Sequence, residues 1–387
     1  MVYHVIWQLA LIIIAVKIAG DLSVRIGQPA VLGKLVIGVL LGPAVLGIVE
    51  HNVIVEFMAE IGVLLLMFIA GLETDLKTMK ENWLAAVAVA VGGVIMPFFG
   101  TYGVALAFGF DQTHALFFST LFCATSVSIS VQVLKELNRL NSREGAAILG
   151  AAVADDVLVV LLLAAIMSVV GVGTGVSIGV TIGLKALFFA VVIAAGWWLV
   201  PRLLTWLARL KVTEPVASIA LVIALAFAWF ADETGMAGII GSFAAGLAIS
   251  RTDYRHAVAE KLEPVAYSIF VPVFFVNIGL NVTFEGLGNQ IWFAVVLSLM
   301  AVATKLIGCG LGARLTGFNT RSSVAIGTAM ISRGEVALII AAIGLSSGLL
   351  NPEYYTSAII VVLVTTLVTP PLLKLAFGRR DAAPERA

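Results

Sequence analysis

Residues 147–167 read AILGAAVADDVLVVLLLAAIM, an apolar run interrupted only by Asp155 and Asp156 near its middle. At a rise of ~1.5 Å per residue, a helix of this length crosses the ~30 Å hydrocarbon core of a bilayer. Ionisable side chains at that depth cost at least ~2.5 kcal/mol each, so they need a partner or a purpose. Neighbouring residues point about 100° apart around a helix, so the two carboxylates cannot share one direction. Two ionised carboxylates in a low dielectric repel unless a proton or a cation intervenes. A carboxylate that either H+ or Na+ can satisfy is the basic requirement of an exchanger. A purely structural role would explain one buried acid, but two adjacent ones poorly.

The rest of the chain fits the same solvent. It has 387 residues, 61% hydrophobic and only 12% charged, against about 25% charged in soluble proteins. So few charges cannot cover the surface of a soluble domain this large. The formal net charge is zero, so no nucleic-acid partner is implied. Cys123 and Cys309 both lie in apolar runs and read as packed thiols, neither a disulfide nor a metal site. Residues 2–20 lack a basic leader and an Ala-x-Ala cleavage site, so they read as a retained helix.

Scanning for runs of about 20 apolar residues predicts an all-α polytopic membrane protein with about thirteen transmembrane helices. The expected spans are 2–20, 30–49, 53–72, 83–108, 112–134, 144–170, 183–201, 215–231, 235–250, 264–281, 290–313, 322–347 and 354–377. Lysines and arginines test the orientation, because cytoplasmic loops collect them. With the N-terminus outside and the C-terminus cytoplasmic, the inner segments hold Arg25, Lys77, Lys80, Lys135, Arg139, Arg143, Arg202, Arg209 and Lys211. They also hold Arg251, Arg255, Lys261, Arg314, Arg321, Lys374, Arg379, Arg380 and Arg386. The outer loops carry Glu50, Asp111, Asp232, Glu233, Glu285 and Glu353 instead.

The third and tenth spans read alike, MFIAGLETDL at 67–76 and FFVNIGLNVTF at 274–284, and each follows a glycine-punctuated span. Spans 1–6 then match 8–13 in inverted topology, with span 7 as a linker. Inverted repeats place a transporter's site near the midplane, beside broken helices. Two spans look broken. CATSVSISVQVL at 123–134 holds Thr125, Ser126, Ser128 and Ser130, and AMISRGEVALII at 329–340 holds Ser332, Arg333, Gly334 and Glu335. Non-helical backbone survives at membrane depth only beside protein or a cavity. Its hydroxyls and carbonyls are hard oxygen ligands suited to Na+. Arg333 and Glu335 either neutralise one another or cap the half-helix ends. Lys305, the deep base of the 290–313 span, is the natural partner for one aspartate. His4, His51, His114 and His256 show no ligand spacing, and Pro97 and Pro272 are expected to kink their helices.

Taken in order, these motifs resemble the second monovalent cation/proton antiporter family (CPA2), closest to its NapA-like bacterial Na+/H+ antiporters. The Ala-Asp-Asp at 154–156, Thr-Ser-Val-Ser-Ile-Ser at 125–130, Lys305 and Ser-Arg-Gly-Glu-Val at 332–336 carry the resemblance. Gly-Gln-Pro-Ala-Val-Leu-Gly at 27–33 and Leu-Gly-Pro at 41–43 extend it over nearly the whole chain. It implies an NhaA/NapA-like fold with two crossed broken helices, in a homodimer in the cell (inner) membrane. A dimerisation panel would comprise 1–82 and 213–286, a transporting core 83–175 and 287–378, a linker helix 176–212 and a cytoplasmic tail 379–387. The core would move like an elevator against the panel. Asp156 would carry the cation and the proton, and Asp155 would pair with Lys305 and let go when the cation binds. Thr125 and Ser126 would line the site, with Na+ held by Asp156, Asp155 and Thr125. Arg333 and Glu335 would stabilise the crossing. An Asp at 155 implies electrogenic exchange, two protons per Na+. No cofactor is implied beyond the transported ions. The larger relatives continue into a nucleotide-binding domain that this chain lacks, so regulation by NAD or glutathione is not expected. K+/H+ exchange and sodium-coupled organic-anion symport are the alternatives the same plan allows. A channel would need a carbonyl filter such as Thr-Val-Gly-Tyr-Gly, and an intramembrane aspartyl protease a Gly-x-Gly-Asp setting; neither motif is present.

Overall fold

The computed structural model describes residues 2–50, 52–170, 178–282 and 287–378; Glu285 and the tail 379–387 fall outside them. Regular structure among the described residues is helical throughout. The chain opens with α1 (Val2–Arg25), α2 (Ala30–Leu41), α3 (Val53–Glu73), α4 (Leu76–Glu81) and α5 (Trp83–Ala107). It continues through α6 (Gln112–Leu121), α7 (Val127–Glu136), α8 (Arg143–Val170), α9 (Ile178–Ala194) and α10 (Val200–Leu207). Then follow α11 (Pro215–Glu233), α12 (Gly238–Ile249), α13 (Arg255–Val265) and α14 (Val271–Leu280). The last four are α15 (Ile291–Leu315), α16 (Thr320–Ala329), α17 (Glu335–Ser346) and α18 (Pro352–Phe377).

Among the described residues, nine helical segments are long and apolar enough to cross a membrane. The remaining expected spans coincide with α2, α12 and the pairs α6/α7 and α16/α17, all made of shorter helices. Helix lengths recur along the chain. α2 and α12 both have 12 residues, α5 and α15 both have 25, and the broken pairs are 10 with 10 and 10 with 12. Pro97 sits inside α5. Pro272 instead follows a π-helical turn, Ala266–Phe270, and Pro201 follows another, Ala195–Leu199. A proline ring crowds the carbonyl four residues back, and the wider turn relieves that contact.

The chain divides into two compact units. The first comprises Met1–Ile18, Ile37–Glu81 and Asp156–Val282. Here α3 packs against α12 and α14. Glycines set the close approaches, Gly71 and Gly246 between α3 and α12 and Gly279 between α14 and α2. A Cβ on Gly71 would overlap the Phe243 carbonyl, one on Gly246 the Phe68 carbonyl, and one on Gly279 the backbone of Gly38. In lipid, helices associate through close packing rather than hydrophobic expulsion, so backbone-to-backbone approach at glycine is a main source of attraction. Ser242 and Lys185, both buried in this unit, close hydrogen bonds to backbone carbonyls. Ser242 Oγ donates to Leu64 O at 2.7 Å. Lys185 Nζ donates to Thr234 O at 3.1 Å and to Gly235 O, capping the carbonyl end of α11.

The second unit comprises Ala19–Val36, Asn82–Asp155 and Thr283–Ala387, so the boundary falls within α8 between Asp155 and Asp156. Its centre is α15, which packs along α5 and against α16 and α18. Gly92 and Gly308 face one another, and a Cβ on either would overlap the other's carbonyl oxygen. Side-chain caps start the helices that lead into the breaks. Asp111 accepts from the N–H groups of Thr113 and His114 at the head of α6, and Asn319 from that of Ser322 in α16.

Candidate functional site

In the second unit both interrupted helices break over five residues, Phe122–Ser126 and Met330–Gly334. Thr125 and Ser126 fall in the first break, while Ser128 and Ser130 belong to α7. Ser332, Arg333 and Gly334 fall in the second. Glu335 opens α17, and its side chain lies outside the described residues.

The two breaks are joined backbone to backbone. Ser126 N–H donates to Ser332 O at 2.8 Å, and Ser332 Oγ donates to Ser126 O at 2.8 Å. Ser130 Oγ adds a bond to Ala329 O. Gly334 is required by this proximity, since a Cβ there would lie 2.6 Å from Ser126 Oγ and 2.7 Å from Ser126 Cβ. Bonds of this kind satisfy backbone groups that a membrane interior would otherwise leave bare.

Arg333 is fully buried and spends its guanidinium on carbonyls. Nε donates to Phe122 O at 3.1 Å, Nη2 to Ala301 O at 3.2 Å and Nη1 to Ile331 O. Phe122 caps α6, and Ile331 lies just past the end of α16. One positive charge thus sits at the negative ends of both half-helix dipoles, where a cation is most stabilising. Thr366 on α18 holds the same peptide, its hydroxyl donating to Arg333 O. Sequence reasoning passed over Thr366. Its only signal was three hydroxyls at 365, 366 and 369 in an apolar span, and the other two bond back to their own helix.

Lys305 and Asp155 meet in the same unit. Lys305 Nζ donates to Asp155 Oδ1 at 2.9 Å, with both side chains at 0% exposure. Gly93 on α5 leaves room for this pair, since a Cβ there would lie 3.3 Å from Lys305 Nζ and 2.5 Å from Cys309 Sγ. The Thr125 side chain neighbours the Asp155 carboxyl, yet neither Thr125 Oγ1 nor Asp155 Oδ2 closes a well-formed hydrogen bond. Asp156, one residue further along α8, is buried as well. A buried, internally neutral ion pair therefore stands next in sequence to a second buried carboxyl. Thr125 Oγ1 and Asp155 Oδ2 are left without well-formed hydrogen bonds, and the two helix breaks are locked together.

The family model for sodium/hydrogen exchangers (transmembrane) matches residues 10–377. The chain belongs to the sodium/hydrogen exchanger family. It is 54% identical to the Na+/H+-K+ antiporter GerN of Bacillus cereus, over 99% of each chain. It is 43% identical to a Na+/H+ antiporter of Enterococcus hirae, over 95% of this chain and 96% of that protein. Among solved structures, the sodium proton antiporter MjNhaP1 from Methanocaldococcus jannaschii at pH 8 superposes with a TM-score of 0.69. That match has 15% identity and covers 95% of each chain, so it shows a shared fold.

Proposed function

We propose that this exchanger moves Na+ against protons across the cell membrane, with Asp156 as the carrier. The observation that carries the reading is the fully buried Lys305–Asp155 pair, at 2.9 Å, next in sequence to the buried Asp156. Asp155 and Lys305 cancel, so Asp156 brings one negative charge that either a proton or Na+ can satisfy. Competition for that one charge couples the two ions. When Na+ binds, Asp155 leaves Lys305 to join Asp156 and Thr125 around the cation, and Lys305 gives up its proton. The protonated site then sums to zero and the Na+-loaded site to one negative charge. Two protons exchange for one Na+, and the membrane potential drives the cycle. K+ is the second ion to test, because the GerN relative is named for it.

The same reading assigns the chain to the second monovalent cation/proton antiporter family, with thirteen spans and a NapA-like arrangement of inverted repeats. The recurring helix lengths and the swapped glycine contacts of the two similar motifs support it. Residues 1–82 and 213–286 form a dimerisation panel in a homodimer. Residues 83–175 and 287–378 form a core that moves as an elevator, with 176–212 as the linker and 379–387 a cytoplasmic tail. Thr125 and Ser126 line the ion site, while Arg333 and Glu335 stabilise the crossing. The N-terminus is outside, as the basic residues of the inner loops favour.

The test is Na+-evoked proton release in proteoliposomes, followed by a pH-sensitive dye, for wild type beside Asp156→Asn. Release by the wild type that is lost in the variant is the expected result. Equal release by both would remove Asp156 from the carrier role.

A further inference from the structure

One side of α7 carries polar atoms that the crossing does not use. Thr125 Oγ1, Ser128 Oγ and Gln132 Oε1 are buried and make no hydrogen bond among the described residues. Their side chains are 3%, 0% and 5% exposed. Ser128 and Gln132 are four residues apart on one face of α7, with Thr125 in the break just before it, and a further step of four reaches Glu136, which is exposed. Ser130 belongs to another face and is committed to Ala329 O and the crossing. Buried hydroxyls such as Ser119, Thr120 and Thr365, deeper in their helices, bond back to the preceding turn. Ser128 sits in the first turn of α7, where the residue four back, Ala124, lies in the break, so its hydroxyl has no helical carbonyl of that kind to use.

Gln132 is held in an orientation that keeps its oxygen free. Its Nε2 donates to Glu136 Oε1 at 3.0 Å, and Glu136 Oε2 accepts the Ala30 N–H at 2.8 Å. Both oxygens of Glu136 are thereby occupied, and Gln132 Oε1 is left without a partner. Buried oxygens without partners are rare in folded proteins and mark places where water or an ion sits. Two neutral oxygens about one helical turn apart suit an alkali cation that is shedding its shell. They replace some waters without adding a charge that would trap the ion.

We propose that Ser128 and Gln132 form a second monovalent-cation subsite, between the Glu136 end of α7 and Asp155. There the transported Na+ or Li+ exchanges part of its hydration for the Ser128 hydroxyl and the Gln132 amide oxygen. Glu136 is a positioning residue that sets the amide. The subsite rests on the antiport reading above, and its contribution is to the apparent affinity for the cation, not to the carrier chemistry at Asp156.

Ser128→Ala and Gln132→Met test it in proteoliposomes, with the maximal rate and the half-saturating Na+ and Li+ concentrations read separately. The expected result is a rise of about tenfold in the half-saturating concentration with the maximal rate largely kept, and Ser128→Thr restoring the wild-type value. The thermal unfolding midpoint of Ser128→Ala should not fall, because the substitution removes an oxygen that bonds to nothing. Half-saturation within twofold of wild type in both folded variants would overturn the subsite alone. A wild type that releases no protons on Na+ addition would overturn the antiport reading and the subsite with it.

Discussion

Breaking the Lys305–Asp155 pair one partner at a time should reveal how much of the stability rests on it. Lys305→Gln leaves Asp155 buried without its counter-charge, and Asp155→Asn does the same to Lys305. Both groups are at 0% exposure, so solvent does not screen the loss. Removing one partner of such a pair costs ~3–5 kcal/mol, whereas replacing both charges with neutral groups removes most of that penalty. Unfolding entropy of about 2 cal/mol/K per residue converts that cost to a drop of at least ~4 °C in the melting midpoint of a chain this long. Cys123 and Cys309 are both buried, so a thiol-reactive fluorophore reports unfolding directly. The expected order is wild type highest, the double variant Asp155→Asn/Lys305→Gln close below it, and both single variants lowest. A double variant whose drop equals the sum of the two single drops would mean the charges do not compensate one another, and the reasoning would fail. Transport supplies an independent reading. Lys305→Gln should retain Na+-evoked proton movement with a weakened response to membrane potential. An unchanged voltage dependence would contradict the role given to Lys305.

Two further outcomes follow from the packing. Arg333→Lys keeps the charge but loses the fork that serves Phe122 O, Ile331 O and Ala301 O, so it should cost about 3 kcal/mol. A midpoint equal to wild type in the thiol assay would show that the carbonyls do not need the guanidinium. Gly246→Ala drives a methyl into the Phe68 carbonyl between α12 and α3, and should cost ~1–3 kcal/mol; an unaltered midpoint would mean the two helices separate without penalty.

The sequence alone made several features legible because their physics is local. An apolar run long enough for a bilayer needs no neighbour to be recognised, and neither does the improbability of Asp155 and Asp156 inside one. Clustered Ser and Thr at 125–130 and Gly334 beside Ser332 lower helix propensity, so an interruption near each was visible too. Some choices belonged to the tertiary structure alone. Lys305 could have met an acid or snorkelled, and only the approach of α15 to α8 puts its ammonium on Asp155 Oδ1. Arg333 spends its donors on carbonyls from the first break, the second break and α15, a pairing no spacing could announce. Thr366 and Lys185 went unassigned because each acts on backbone carbonyls far away in sequence. Every residue carries such a carbonyl, so nothing in the amino-acid order marks which ones a helix end or a break will leave in need of a donor.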